Sequence, residues 1–163
     1  METIFEAKAD IPFGSEHSVA RKLNLEFVRE HSDTDYYIKS DGETTTKIKR
    51  MDDGNSIIYE FSFDGSCLKM ACTNISDNER DKLLAASRQV AVLKTRKRVY
   101  FSKELGVNIE IDYIEQLPKR LFLEIVDDDR DKVLNAKRRV GDKLGIINFL
   151  SVSYDKLVPG QVQ

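Results

Sequence analysis

Two cysteines, two histidines and three prolines are all that 163 residues provide of these types, and the shortage excludes several classes of protein. Cys67 and Cys72 lie on one strand-like run at an odd spacing, which puts them on opposite faces and argues against an intrachain disulfide. With only His17 and His31 besides, and no second cysteine pair, a structural zinc site is not expected. No apolar run is long enough to span a bilayer, and the N-terminus lacks the basic-then-apolar order of a secretory signal. The expectation is a reducing, cytoplasmic setting with no membrane partner. No internal repeat, low-complexity tract or long Pro/Gly linker divides the chain, so residues 1–163 are expected to form one domain, large enough for a sizeable core.

What is abundant is charge. Charged residues make up 33% of the chain and hydrophobic ones 40%, yet the net charge is only −2. That balance gives no global reason to expect nucleic acid. The charges are instead patterned locally.

Residues 2–11 read as a strand, and "PFGSEHSVARKLNLEFVRE" as a loop leading into an amphipathic helix. Ser15 is its expected N-cap, with Val19, Leu23 and Phe27 on its apolar side. "DTDYYIKS" is strand-like and "DGE" a turn signal. "TTTKIKRM" and "NSIIYEFSF" flank "DDG" as a hairpin, and "SCLKMACTNI" continues the sheet. "SDNERDKLLAASRQ" opens on a capping signature, Ser76 followed by Glu79. "VAVLKTRKRVYF" and "VNIEIDYI" bracket "SKELG" as a second hairpin, and "RLFLEIV" is a further strand. "DDDRDKVLNAKRRVGDKLG" is a helix with acids at its start and basic residues and Gly145 at its end, as the helix dipole favours. Its "AKRRVGDK" stretch reads as a solvated face. The order β-α-β-β-β-β-α-β-β-β-α defines an antiparallel α+β protein.

Side chains two apart on a strand share a face. In "TIFEAKADI", Ile4, Glu6, Lys8 and Asp10 therefore oppose Thr3, Phe5, Ala7, Ala9 and Ile11. Lys47 and Lys49 share a face, as do Lys94, Arg96 and Arg98, then Glu110 and Asp112, and then Phe122, Glu124 and Val126. Taken singly, each is an ordinary solvated face. Together they segregate by sign, with two strands offering cations and two offering carboxylates. A sheet closed into a barrel would turn them inward, where basic groups hold phosphates and carboxylates hold a hard divalent cation. His17 and His31, flanking the first helix, are expected at the surface. Tyr36, Tyr37 and Tyr100 are expected to pack, with stacking on a base as the alternative.

In this order the segments resemble the CYTH superfamily, the triphosphate tunnel metalloenzymes, which include class IV adenylyl cyclases and thiamine triphosphatases. "IFEAK" stands where that family has Glu-x-Glu-x-Lys, "DTDYYI" resembles its tyrosine-bearing strand and "TKIKRM" its paired-basic strand. "VLKTRKRVYF" resembles its Lys-x-Arg strand. "VNIEIDYI" and "LFLEIV" resemble its acidic strands, and "SVSYDKLV" its closing Ser-Tyr-x-x-Leu element. The final third is most similar to the class IV cyclase branch.

The resemblance implies an eight-stranded antiparallel β-barrel, or tunnel, with flanking helices. It implies that Lys8, Lys47, Lys49, Lys94 and Arg96 contact phosphates, and that Glu6, Glu110, Asp112 and Glu124 hold Mg²⁺ or Mn²⁺. The ligand would be a nucleoside triphosphate, inorganic triphosphate or another polyphosphate. The activity implied is triphosphate hydrolysis or adenylyl cyclisation, with no residue assigned as acid or base. A homodimer is left open. Several positions depart from the family pattern. Ile4 replaces the first Glu, Val126 replaces a second Glu that many members carry, Glu60 stands near the place of an inward Lys, and "SCLKMACTN" lacks an acidic pair. Metal-binding chemistry is therefore less retained than phosphate-binding chemistry, and a non-catalytic nucleotide or polyphosphate binder is the alternative.

Overall fold

A computed structural model describes residues 1–39 and 44–159. Its strands are β1 (Glu2–Ile11), β2 (Glu26–Ile38), β3 (Thr45–Met51), β4 (Ser56–Phe63), β5 (Leu68–Ile75), β6 (Gln89–Ser102), β7 (Val107–Ile114) and β8 (Leu121–Asp127). They close into one barrel in the order β1-β5-β4-β3-β2-β6-β7-β8, and every strand pair is antiparallel. Helices α1 (Glu16–Lys22), α2 (Asp77–Ala86) and α3 (Arg130–Leu144) flank it, followed by a short 3-10 turn at Tyr154–Leu157. The eight-stranded antiparallel barrel with flanking helices is thus present.

Alternation along β8 shows how the barrel is built. Leu121, Leu123 and Ile125 face outward beneath α3, which covers them with Val133, Ala136 and Val140. Phe122 and Glu124 face inward and are as fully buried. A strand buried on both faces has no solvent side, which is why "RLFLEIV" is almost wholly apolar. Helix α3 starts on the Asp129 carboxylate, which accepts from Asp131 N–H and Lys132 N–H, and stops at Gly145 with φ 71°. Helix α2 carries the expected reciprocal cap between Ser76 and Glu79.

The first helix is shorter than its pattern predicts. It ends at Lys22, and Asn24 turns the chain at φ 52°. Phe27 therefore belongs to β2, where it packs edge-on against Tyr100 at 5.6 Å. Ser15 holds the cap position without a side-chain cap bond. The β3–β4 hairpin turns at Gly54, φ 93°, whereas the "DGE" turn at Asp41–Glu43 lies outside the described residues.

One end of the barrel is filled. Tyr37, Leu93, Ile114 and Phe122 form an apolar cluster inside it, joined by Tyr154 from the C-terminal segment. That segment is tied to β1 where Leu150 N–H donates to the Lys8 carbonyl at 2.8 Å. Cys67 lies in the cluster outside the wall and Cys72 in the cluster inside it. Both thiols are free. Among the described residues, no helix is long and apolar enough to cross a membrane.

Candidate functional site

Between the apolar end and the opposite mouth the lumen is charged. A cavity of about 280 Å³ is lined by Glu6 and Lys8 from β1, Lys47 and Lys49 from β3, Lys97 from β6, Glu110 and Asp112 from β7, and Glu124 from β8. Strand β2 adds Arg29, His31 and Asp35. Asp33 joins them through Lys49, whose ammonium donates to its carboxylate at 3.1 Å.

Almost every lysine here is buried, and each is satisfied by carboxylates. Lys8 lies 2.9 Å from Glu6, and Lys47 lies 4.0 Å from Asp35. The Lys97 ammonium sits among Glu110, Asp112 and Glu124 at 2.9, 3.0 and 3.2 Å. Charges withdrawn from water this far persist only when paired, and the pairing here is close to balanced. Lys8, Arg29, Lys47, Lys49 and Lys97 face Glu6, Asp33, Asp35, Glu110, Asp112 and Glu124.

The protonation pattern follows from that crowding. Burial and the nearby Glu124 charge push the Glu6 carboxyl up to about 7. Burial opposes the charge on Glu124 too, but Lys97, a hydrogen bond from Glu6, and Lys8 hold it well below the usual carboxylate range. Of the two carboxyls, Glu6 is the one that holds its proton more tightly. Lys97 and Lys49 are driven upward by their carboxylates against the cost of burial. Lys47, with the longest ion-pair distance, is lowered by burial. The Tyr154 hydroxyl donates to Asp112 at 2.7 Å and Glu124 at 2.8 Å, while Lys8 lies 4.0 Å from its ring centroid.

The structure gathers Glu6, Lys8, Lys47, Lys49, Glu110, Asp112 and Glu124 around this cavity, but leaves out two residues expected with them. Lys94 and Arg96 are exposed on the outer wall. The inward face of β6 carries Leu93, Thr95, Lys97 and Val99 instead, so the cation that β6 supplies to the lumen is Lys97. The signal was present in the sequence, since Lys97 is a lone charge among apolar neighbours on its face. His31 is also displaced from its expected place. It lies on β2 and lines the lumen, with Nδ1 3.0 Å from Asp33. Arg29 was missed because β2 begins earlier than its pattern indicates, whereas Asp33 and Asp35 lie in the expected strand "DTDYYIKS" and were not assigned to the lumen. Their spacing of two, continued by Tyr37, marked one face. Tyr59 is the inward residue of β4, whereas Glu60 points away.

Three carboxylates around one point are the hard oxygen donors that Mg²⁺ or Mn²⁺ prefers. Among the described residues no such group converges as a ready-made metal site, because the Lys97 ammonium holds the centre as a stand-in cation. Asp112 Oδ1 is buried there with no hydrogen bond of good geometry, although Lys97 Nζ is 3.0 Å away. By donor chemistry alone, Glu110, Asp112 and Glu124 are the residues that would hold such a cation.

A closed antiparallel barrel around a buried, ionised lumen defines a class of ligand-holding tunnels. No protein-family model matches this chain, and no curated protein matches it, but solved structures do. A conserved hypothetical protein from Pyrococcus furiosus is 18% identical, covers 95% of this chain and 99% of its own, and superposes with a TM-score of 0.75. A candidate adenylate cyclase from Bacillus halodurans is 9% identical over 98% of this chain and 100% of its own, with a TM-score of 0.68. A candidate adenylyl cyclase from Hippeastrum, described as having a dominant triphosphatase activity, is 14% identical over 100% and 98%, with a TM-score of 0.65. At such identities the likeness establishes the fold. The chain has the CYTH, or triphosphate tunnel, fold.

Proposed function

We propose that the lumen captures the phosphate chain of a triphosphate-bearing ligand together with a divalent cation. The observation that carries this reading is the set of lysines, Lys8, Lys47, Lys49 and Lys97, whose ammonium groups line one cavity of about 280 Å³. Such a volume is at the small end for ligand sites. It suits a phosphate chain, with the rest of a nucleotide left at the mouth near Arg29 and Asn108.

Charge balance argues for the cation. A bare polyphosphate would take the lysines and strand the buried carboxylates, at a cost of several kcal/mol per ion. A ligand that brings Mg²⁺ or Mn²⁺ lets both halves of the Lys97 cluster, the ammonium and its three carboxylates, exchange partners. Phosphate oxygens replace carboxylates on Lys8, Lys47, Lys49 and Lys97, while Glu110, Asp112 and Glu124 take the metal. When bound, the metal would neutralise phosphate charge and activate a nucleophile. The chain's own residues hold the phosphates and exclude water at the filled end.

Turnover is a second reading, favoured by the whole-chain likeness to the Hippeastrum protein. Water attacking the terminal phosphorus would release phosphate, and a ribose 3′-hydroxyl attacking the α-phosphorus would release pyrophosphate. The test is calorimetric titration with inorganic triphosphate and with ATP, with and without Mn²⁺, followed by product analysis of the same samples. Metal-dependent binding is the expected result. Phosphate, pyrophosphate or cyclic AMP among the products identifies an enzyme, and tight binding without products identifies a capture protein. No binding with or without metal overturns the reading.

A further inference from the structure

The larger cavity of the molecule lies on the other side of the wall. It is a groove of about 780 Å³ on the outer face of β3, β2, β6 and β7, four strands that are neighbours in the barrel. Its floor is made by consecutive residues of each strand, including Ser32, Asp33 and Thr34 on β2 and Lys94, Thr95 and Arg96 on β6. The outward side chains of the middle strand are small, Ser32 and Thr34. Those beside them are long, because Thr34 pairs with Arg50 on one side and Lys94 on the other, and Ser32 pairs with Arg96. A row of short residues between long cations leaves a trough.

Two of these cations are unspent. Among the described residues, Arg50 and Lys94 have no ion-pair partner, although both flank Thr34. Arg96 is held in place, its guanidinium 4.4 Å from the centroid of Tyr113 and 3.4 Å from Glu30. Tyr113 is itself fixed, since its hydroxyl donates to the buried Glu16 carboxylate at 2.7 Å. The rim supplies apolar surface, with Phe13 exposed at 62% and the exposed Pro118 on the β7–β8 connection, above the buried Leu117. Arg120 is already engaged by Asp10 at 2.7 Å. Of the acids, Asp52 accepts the Ser32 backbone N–H at 3.1 Å, and Asp33 is turned to Lys49 within the lumen. Glu115 stands beside Lys94, donating its backbone N–H to the Lys94 carbonyl at 2.9 Å without an ion pair to its ammonium.

Paired free cations beside hydroxyls, a fixed planar arginine and an apolar rim together match one chemistry. The geometry points to a second ligand site on the outer wall, taking a small phosphate monoester with a planar or apolar body. Its phosphate bridges Arg50 and Lys94 over Thr34, and its body lies on the Arg96 guanidinium, against Phe13 and Pro118. Strand β6 then serves two sites, offering Lys97 to the lumen and Lys94 and Arg96 to the groove.

The test is titration of ¹⁵N-labelled protein with AMP, adenosine and inorganic phosphate, followed by amide shifts. AMP should move the amides of Ser32, Thr34, Lys94, Arg96 and Tyr113 saturably, and adenosine and phosphate should each bind more weakly than AMP. The double variant Arg50→Ala/Lys94→Ala should weaken AMP binding by roughly a hundredfold, about tenfold for each charge-assisted contact. Both residues are exposed, so the fold should survive, which a thermal melt checks. Lys82→Ala, an exposed change on α2, should leave AMP binding at the groove intact. Shifts confined to the lumen residues Lys49 and Asp35, equal affinity in the double variant, or no saturable binding would each overturn the proposal. Titration with inorganic triphosphate tests the lumen separately, so either site can fail alone.

Discussion

Lys97 and Glu124 stand on strands separated by β7, yet their charged ends meet 3.2 Å apart inside the barrel. Lys97 also holds Glu110 and Asp112. One ammonium thus neutralises carboxylates from two neighbouring strands. Removing it leaves three acids facing one another in a dry space.

Lys97→Met should therefore cost stability, by about 3–5 kcal/mol at neutral pH, as expected for stripping one partner from a buried ion cluster. The same variant removes the cation that stands among the three carboxylates. Mn²⁺ should then raise its melting temperature by more than it raises that of the unaltered protein. Thermal melts with and without Mn²⁺ check both effects, and equal responses would count against a metal-competent carboxylate set.

Glu6→Gln tests the proton held on Glu6. A carboxyl raised from its ordinary 4.5 to about 7 binds more protons folded than unfolded between those values, so its contribution to stability falls as pH rises through that window. Gln keeps a donor for Glu124 and removes the titration. The variant should gain stability relative to the unaltered protein on going from pH 5 to pH 8. Urea midpoints at the two pH values measure this, and a constant difference would mean that Glu6 is ionised in both.

Lys49→Ala should weaken triphosphate binding in the presence of Mn²⁺ by about tenfold or more, the worth of one lost charge-assisted contact. Lys94→Ala should leave it within about twofold, since its side chain lies outside the wall. Calorimetry of the two variants side by side separates inner from outer cations.

Glu16→Ala should destabilise the protein by about 1–3 kcal/mol, because one carboxylate accepts from Tyr100, from Tyr113 at 2.7 Å and from Arg98 at 2.6 Å. Burial opposes the Glu16 charge, but these three donors hold its pKa below the ordinary value. Its stabilisation is therefore present above pH 4.5 and lost as pH falls through the lowered value. A urea midpoint at pH 7 and another at low pH should show the variant's deficit shrinking.

Most strand positions and the reciprocal cap on α2 were legible because period-two alternation and cap chemistry are local signals. Closure into a barrel was only permitted by the alternation and was implied by the resemblance to the CYTH superfamily. The inward face of β6 was not legible. Both of its faces carry cations, and counting charges favours the face with Lys94, Arg96 and Arg98, whereas the barrel buries the face where Lys97 sits among Leu93, Thr95 and Val99. Apolar neighbours at spacing two were the better guide than charge density. The start of β2 was hidden for a different reason. "NLEFVRE" continues a helical pattern, and only the left-handed turn at Asn24, together with pairing to β6, makes it a strand. Arg29 and His31 therefore escaped notice. The closeness of Lys97 to three acids depends on strand register across three strands, which no single segment encodes.

Cys67 and Cys72, one buried in the layer beneath α3 and the other within the barrel, amount to two clocks on one chain. A thiol reagent reaches the first when the outer layer loosens and the second only when the inside of the barrel opens. Comparing the two labelling rates, with each cysteine replaced in turn by serine, would time separately the breathing of the coat and the breathing of the cylinder.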